Sequence, residues 1–225
     1  MKHKFLIGVF VLIILIGGGI LFFKHSTSGS ASLFGTAVPY QACPASGYKY
    51  VTQWGGLGSG NGQLNRPYGM AFDGSGNIYV ADYLNHRIQK FSPNGQYLSQ
   101  FGSYGTGNGQ LNMPEGILVD PSGNIYVVDY ANDRIQKFSP NGQYLSQFGT
   151  TGSGNGQFYS PMGIAQDAQG NIYVVDQGNN RVQKFNSSGG YLSQFGTTGS
   201  GNGQFIGPWD IYIDSVGNIY VTEPD

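Results

Sequence analysis

Pro114-Glu115-Gly116-Ile117-Leu118-Val119-Asp120, Gly123-Asn124-Ile125-Tyr126-Val127-Val128-Asp129, Asn132-Asp133-Arg134-Ile135-Gln136-Lys137-Phe138 and Gly142-Gln143-Tyr144-Leu145-Ser146-Gln147-Phe148-Gly149 follow one another as one unit, and the unit recurs along the chain. Its opening tag, Gly-Asn-Gly-Gln, starts at Gly60, Gly107, Gly154 and Gly201, a period of 47 residues. A fixed period of this length marks a repeat architecture, in which each unit buries its apolar surface against its neighbours. Four short runs inside the unit read as strands: Gly116–Asp120, Asn124–Asp129, Arg134–Phe138 and Tyr144–Phe148. Pro121-Ser122-Gly123 and Pro140-Asn141-Gly142 between them supply a Pro for the turn corner and a Gly for positive φ. Ile125-Tyr126-Val127-Val128 is apolar at every position, so both of its faces need cover.

Four antiparallel strands packed on both sides by copies of themselves describe the blade of a β-propeller. The composition agrees: 38 glycines and 16 tyrosines in 225 residues favour short strands and tight turns over helices. The formal net charge is −1. From residue 48 onward 8 Lys/Arg face 12 Asp/Glu, the wrong sign for a phosphate-binding surface, so no nucleic-acid partner is expected.

The first 24 residues are a separate object. Lys2 and Lys4 precede an apolar run from Phe5 to Phe23, which Lys24 and His25 close. Nineteen residues at about 1.5 Å each just cross a hydrocarbon core of roughly 30 Å, and a cleavable signal usually has a shorter apolar core. The run is expected to be a transmembrane helix detached from the blades, tethering the chain to a membrane through residues 5–23; a cleaved signal and secretion are the alternative. The lysines before the run place the remainder outside the cytoplasm. Residues 25–47, rich in Ser, Thr, Gly and Ala, read as a flexible stalk that holds the only cysteine, Cys43. The propeller is then residues 48–225.

Pro-x-Gly-Ile-x-x-Asp, Gly-Asn-Ile-Tyr-Val-x-Asp and Asn-x-Arg-Ile-Gln-Lys-Phe together resemble the NHL repeat, whose middle letter His86 keeps. The resemblance covers residues 48–225 and implies an all-β propeller. It also implies six blades, and a place among bacterial and archaeal surface proteins, tripartite-motif ubiquitin ligases or peptide-amidating lyases. The present repeats amount to about 3.8 blades: Tyr50–Gly55 aligns with the outer strand Tyr97–Gly102, and the last unit offers two strands before Asp225. An open arc of a six-bladed propeller is therefore expected, incomplete at its C-terminus, with residues 69–73, 116–120, 163–167 and 210–214 innermost. Its open edges would make residues 25–225 self-associate.

Repeated polar positions read as structure first. Asp82 and Arg87, Asp129 and Arg134, and Asp176 and Arg181 sit at the ends of each second-to-third strand hairpin and would pair to hold it. Asp73, Asp120, Asp167 and Asp214 would accept backbone N–H groups in their own Asp-x-x-Gly turns rather than hold calcium. His86 reads as a surface loop residue; a zinc lyase would need several histidines, and no metal or other cofactor is expected. No Gly-x-Ser-x-Gly nucleophile motif is present, and no catalytic residue is assigned.

The copies differ where inter-blade connections and second-to-third strand loops share one face. Tyr68, Tyr83, Glu115, Tyr130, Met162 and Trp209 vary there and offer the aromatic, thioether and charged groups that binding patches use. Two functions follow: a non-catalytic extracytoplasmic scaffold for a protein, peptide or glycan, or a propeller enzyme of the lyase, lactonase or esterase type.

Overall fold

The computed structural model describes residues 11–16, 19–25 and 48–224. Its strands, in chain order, are β1 (Val11–Ile16), β2 (Gly19–His25), β3 (Tyr48–Trp54), β4 (Pro67–Phe72), β5 (Ile78–Asp82), β6 (Arg87–Phe91), β7 (Tyr97–Phe101), β8 (Pro114–Val119) and β9 (Ile125–Asp129). There follow β10 (Arg134–Phe138), β11 (Tyr144–Phe148), β12 (Pro161–Gln166), β13 (Ile172–Asp176), β14 (Arg181–Phe185), β15 (Tyr191–Phe195), β16 (Ile211–Ile213) and β17 (Ile219–Val221). β4–β7, β8–β11 and β12–β15 are three antiparallel four-stranded sheets laid down in chain order, and β16 with β17 begins a fourth. These are the blades the repeat demands, and β4, β8, β12 and β16 cover the stretches expected to be innermost.

Blade geometry follows from the sequence of each strand. The second strands β5, β9 and β13 are buried at all five positions, as their unbroken apolar run requires. Each third strand meets the fourth with a register step, between Lys90 and Phe91 in the first blade and at the matching residues of the next two. Such a bulge bends the outer strand and increases its twist. Asp73 closes the first hairpin turn: its carboxylate accepts the N–H groups of Ser75 (3.0 Å) and Asn77 (2.9 Å). Asp120, Asp167 and Asp214 do the same in their own turns.

Blades pack through one apolar layer apiece. Between the first and second, Tyr79, Ala81 and Ile88 meet Leu111, Ile117, Ile125, Val127 and Phe138. The layer recurs one period on, and its outer rim is an aromatic pair in each case: Phe101 on Phe138 at 4.7 Å and Phe148 on Phe185 at 4.9 Å between centroids. Trp54 of β3 fills the matching place on Phe91 at 4.3 Å, so β3 is the outer strand of a preceding blade. At the inner end, neighbouring first strands approach to backbone contact. A Cβ on Gly69 would collide with the Glu115 carbonyl, and one on Gly116 with the Met162 carbonyl. Only glycine permits that approach.

The amino-terminal run departs from expectation. Where one helix over Phe5–Phe23 was expected, the described parts of that stretch are strands: β1 pairs with β2, and β2 with β3. A continuous apolar run suits a strand covered on both faces as well as a helix. β3 tips the choice by presenting an unpaired edge, and β2 steps in register between Phe22 and Phe23 just as a third strand does. No helix among the described residues is long and apolar enough to cross a membrane. Residues 1–10, 17–18 and 26–47, with Cys43, lie outside the described residues.

Candidate ligand-binding site

Strand pairing sorts the loops. Pro67 pairs with Asp82, and Asp82 with Arg87, so the start of the first strand and the second-to-third turn lie at one end of the blade. Phe72, Ile78, Phe91 and Tyr97 mark the other end.

The Asp–Arg pairs build the first end. Asp82 is fully buried and receives Arg87 Nε at 2.8 Å, Asn85 Nδ2 at 2.9 Å and the Asn65 N–H at 2.7 Å. The remaining Arg87 nitrogens donate to Gln100 Oε1 and to the carbonyls of Gly60 and Gln63. Asp129 with Arg134 and Asp176 with Arg181 repeat the arrangement at 2.7 Å each. Every charge in the network is satisfied, which is what a buried ion pair needs to be tolerated. The Gly-Asn-Gly-Gln loop is therefore bolted to the third strand, and the pairs are structural as the sequence indicated.

His86 lies in a loop, as the sequence reading had it, and has a specific partner there. It accepts the Met113 N–H on Nδ1 at 3.0 Å, and its ring centroid lies 4.8 Å from that of Tyr104. Asp133 accepts from Ser160 N–H (2.7 Å) and Asn180 from Gly207 N–H (2.7 Å) at the equivalent places. All three acceptors have left-handed backbones, as do Met113 (φ 56°), Ser160 (φ 54°) and Gly207 (φ 62°) that they hold. Each blade thus fastens its hairpin to the connection entering the next. The signal was in the sequence: His, Asp and Asn share a short side-chain acceptor, and Asn and Asp tolerate the left-handed region.

On this frame sit the varying residues, and the structure brings four of them together. Tyr68 and Tyr83 have ring centroids 4.8 Å apart, and Tyr83 and Tyr130 6.4 Å. Arg66, which carries a left-handed backbone (φ 51°), lays its guanidinium 5.9 Å from the Tyr83 ring and donates to the Tyr68 hydroxyl at 3.3 Å. Arg66 belongs to the cluster although Tyr68 alone of that pair was singled out. Glu115 opens β8 beside them, only 6% exposed. Its carboxylate accepts no hydrogen bond from the described residues, and burial pushes it up from 4.5 to about 7. Burial, and after it the Glu115 charge, pushes the Tyr83 hydroxyl up as well. Met162 is the second residue of β12, and Trp209 lies two residues before β16; Trp209 is 52% exposed and makes no ring contact with the tyrosines.

The opposite end holds a cleft of about 660 Å³ lined by Phe72, Asp73, Val119, Asp120, Pro140 and Gln166. Its carboxylates are already engaged in the hairpin turns. Among the described residues no group of His, Cys, Asp and Glu could hold a metal ion.

Residues 64–91, 111–138 and 158–185 each match the family model of the NHL repeat. The chain carries NHL repeats. A stretch of 63 residues is 41% identical to the E3 ubiquitin-protein ligase TRIM71 of Rattus norvegicus, and equally to that of Mus musculus. The match takes in 25% of this chain and 7% of either relative. Among solved structures, a catalytically inactive virginiamycin B lyase from Staphylococcus aureus with quinupristin superposes at a TM-score of 0.57, with 16% identity over 96% of this chain and 64% of that one. A putative gluconolactonase superposes at 0.54, with 20% identity over 71% of this chain and 58% of that one. Identities this low bear on the fold alone: these NHL repeats form propeller blades.

Proposed function

We propose that this NHL-repeat chain is a non-catalytic scaffold outside the cytoplasm that binds a protein, peptide or glycan on the face of Tyr68, Tyr83, Tyr130 and Glu115. The clustering of three tyrosines around a buried carboxyl, at positions where the repeats differ, carries the reading. A residue serving the blade recurs in every copy; Tyr68, Glu115, Met162 and Trp209 occupy one repeat position with four chemistries. Aromatic side chains anchored on rigid strands supply contact area at small entropic cost. Lys2 and Lys4 ahead of the apolar run Phe5–Phe23 have the charge pattern of an exported amino terminus, which supports a location outside the cytoplasm.

The full chain in maltoside micelles, probed on peptide and glycan arrays, tests the binding reading. Hits should vanish with Tyr83→Ala and Tyr130→Ala and survive Asn141→Ala at the opposite end. Hits that ignore the tyrosines would contradict it.

One observation favours the alternative, an enzyme of the lyase, lactonase or esterase type. A carboxyl near 7 is poised for proton transfer, and the superposed folds include a lyase and a putative gluconolactonase. Turnover of lactones or esters that disappears with Glu115→Gln would support it over the scaffold.

A further inference from the structure

We propose that the tyrosine face receives a cationic amine of its ligand, seated between the Glu115 carboxylate and the rings of Tyr68, Tyr83 and Tyr130. The inference rests on the binding reading above and names the chemistry of what binds. Three features of the cluster point the same way.

Glu115 is 94% buried by its 6% exposure, yet no described residue donates to its carboxylate. The little exposure that Glu115 keeps falls on these oxygens, and for a carboxylate largely withdrawn from water with no protein donor a cation or a strong donor offsets the cost. The rings beside it are tilted rather than stacked flat, with interplanar angles of 50° between Tyr68 and Tyr83 and 47° between Tyr83 and Tyr130. Rings set at such angles turn their faces in different directions instead of covering one another, and exposed aromatic faces attract ammonium groups. Finally, Tyr83 already has a cation at its face, the exposed Arg66. Arg66 makes no ion pair with Glu115, so it satisfies the ring without satisfying the carboxylate. It is a displaceable occupant.

The groups facing Glu115 are few. The connection into β4 contributes Arg66 and Tyr68, and the turns Tyr83–Asn85 and Tyr130–Asn132 contribute Tyr83 and Tyr130. β12, packed on the other side, brings Met162 and Gly163, which do not titrate. Glu115 is thus the one of these groups that changes charge near neutrality. Only its ionised form attracts an ammonium, so affinity should rise about tenfold from pH 6 to pH 8 and then level off.

The test uses the full chain in maltoside micelles, free of choline headgroups, titrated with butylammonium and tetramethylammonium and followed by tyrosine fluorescence and NMR. tert-Butanol serves as the uncharged counterpart. A lysine-containing peptide and its acetylated form separate a protein-borne amine from a free one. Expected are amine binding at least about tenfold tighter than tert-butanol, a loss of about tenfold in Glu115→Gln, and a smaller loss in Tyr83→Leu, which keeps bulk but removes the ring. Arg66→Ala should bind amines as well as the parent or better. Thermal melts confirm that each variant folds. Equal binding of tert-butanol, or unchanged amine affinity in Glu115→Gln, overturns the cation proposal. If array ligands still depend on the tyrosines in that case, the binding face stands; if none does, both fall.

Discussion

Ile125-Tyr126-Val127 of the second blade and Ile219-Tyr220-Val221 of the fourth unit are the same three residues at the same place in the repeat. Tyr126 is 1% exposed and donates its hydroxyl to the Ser187 carbonyl at 3.1 Å; Tyr220 is 54% exposed. What differs is the neighbourhood. β9 has β8 and β10 at its edges and blades on both faces, whereas among the described residues β17 pairs with β16 alone. Burial in a repeat is therefore a property of the stack, as expected when each unit leans on the next. Some of the local design survives without it. Glu223, at the place of Asp129, still accepts the N–H of Ile206, as Asp129 accepts that of Asn112.

The sharpest way to break this comparison is to truncate the same side chain in both settings. Tyr126→Ala should cost about 3–5 kcal/mol, the range for emptying a large buried aromatic site. Tyr220→Ala should cost no more than about 0.5 kcal/mol, as exposed positions do. Denaturant unfolding of the two variants measures the gap. Similar costs would mean that the fourth unit is packed as tightly as the second.

A smaller effect probes the inner strands. Gly116→Ala should cost about 1–3 kcal/mol, because the new methyl runs into the Met162 carbonyl and two first strands must part. Gly74→Ala, where a Cβ meets nothing within 4 Å, should be neutral or slightly stabilising. Thermal unfolding that ranked the two alike would deny the backbone contact between blades.

A further effect is set by pH. Burial raises the Glu115 carboxyl from 4.5 to about 7, so the folded state holds its proton where the unfolded chain has released it. Below about pH 4.5 the group costs nothing; the penalty grows as pH rises to about 7 and is complete above. Glu115→Gln removes the penalty, so its melting temperature should match the parent at pH 4.5 and exceed it at pH 8. A constant difference across that range would count against a buried, unpaired carboxyl.

These residues also show what the sequence could and could not reveal. The blades were legible because Pro, Gly and apolar positions recur at one spacing and strand pairing is local. The Asp82–Arg87 type of pair was legible because both partners lie on one hairpin. For His86 the acceptor it shares with Asp133 and Asn180 was legible, but its partner was not, since Met113 belongs to the next blade. Arg66 was passed over because nothing in its sequence shows that it would reach the Tyr83 ring. The apolar run before residue 25 misled for a different reason: its composition suits a helix or a covered strand, and β3 supplied the edge that decided between them.

The binding face stands or falls with the state of Glu115. Carbon-13 NMR of its side-chain carboxyl, followed from pH 3 to pH 9 in the full chain, reads that state directly. A titration midpoint near 7 is predicted, shifting downward when butylammonium is added. A midpoint near 4.5 that ignores the amine would mean a solvated carboxyl, and would contradict the site.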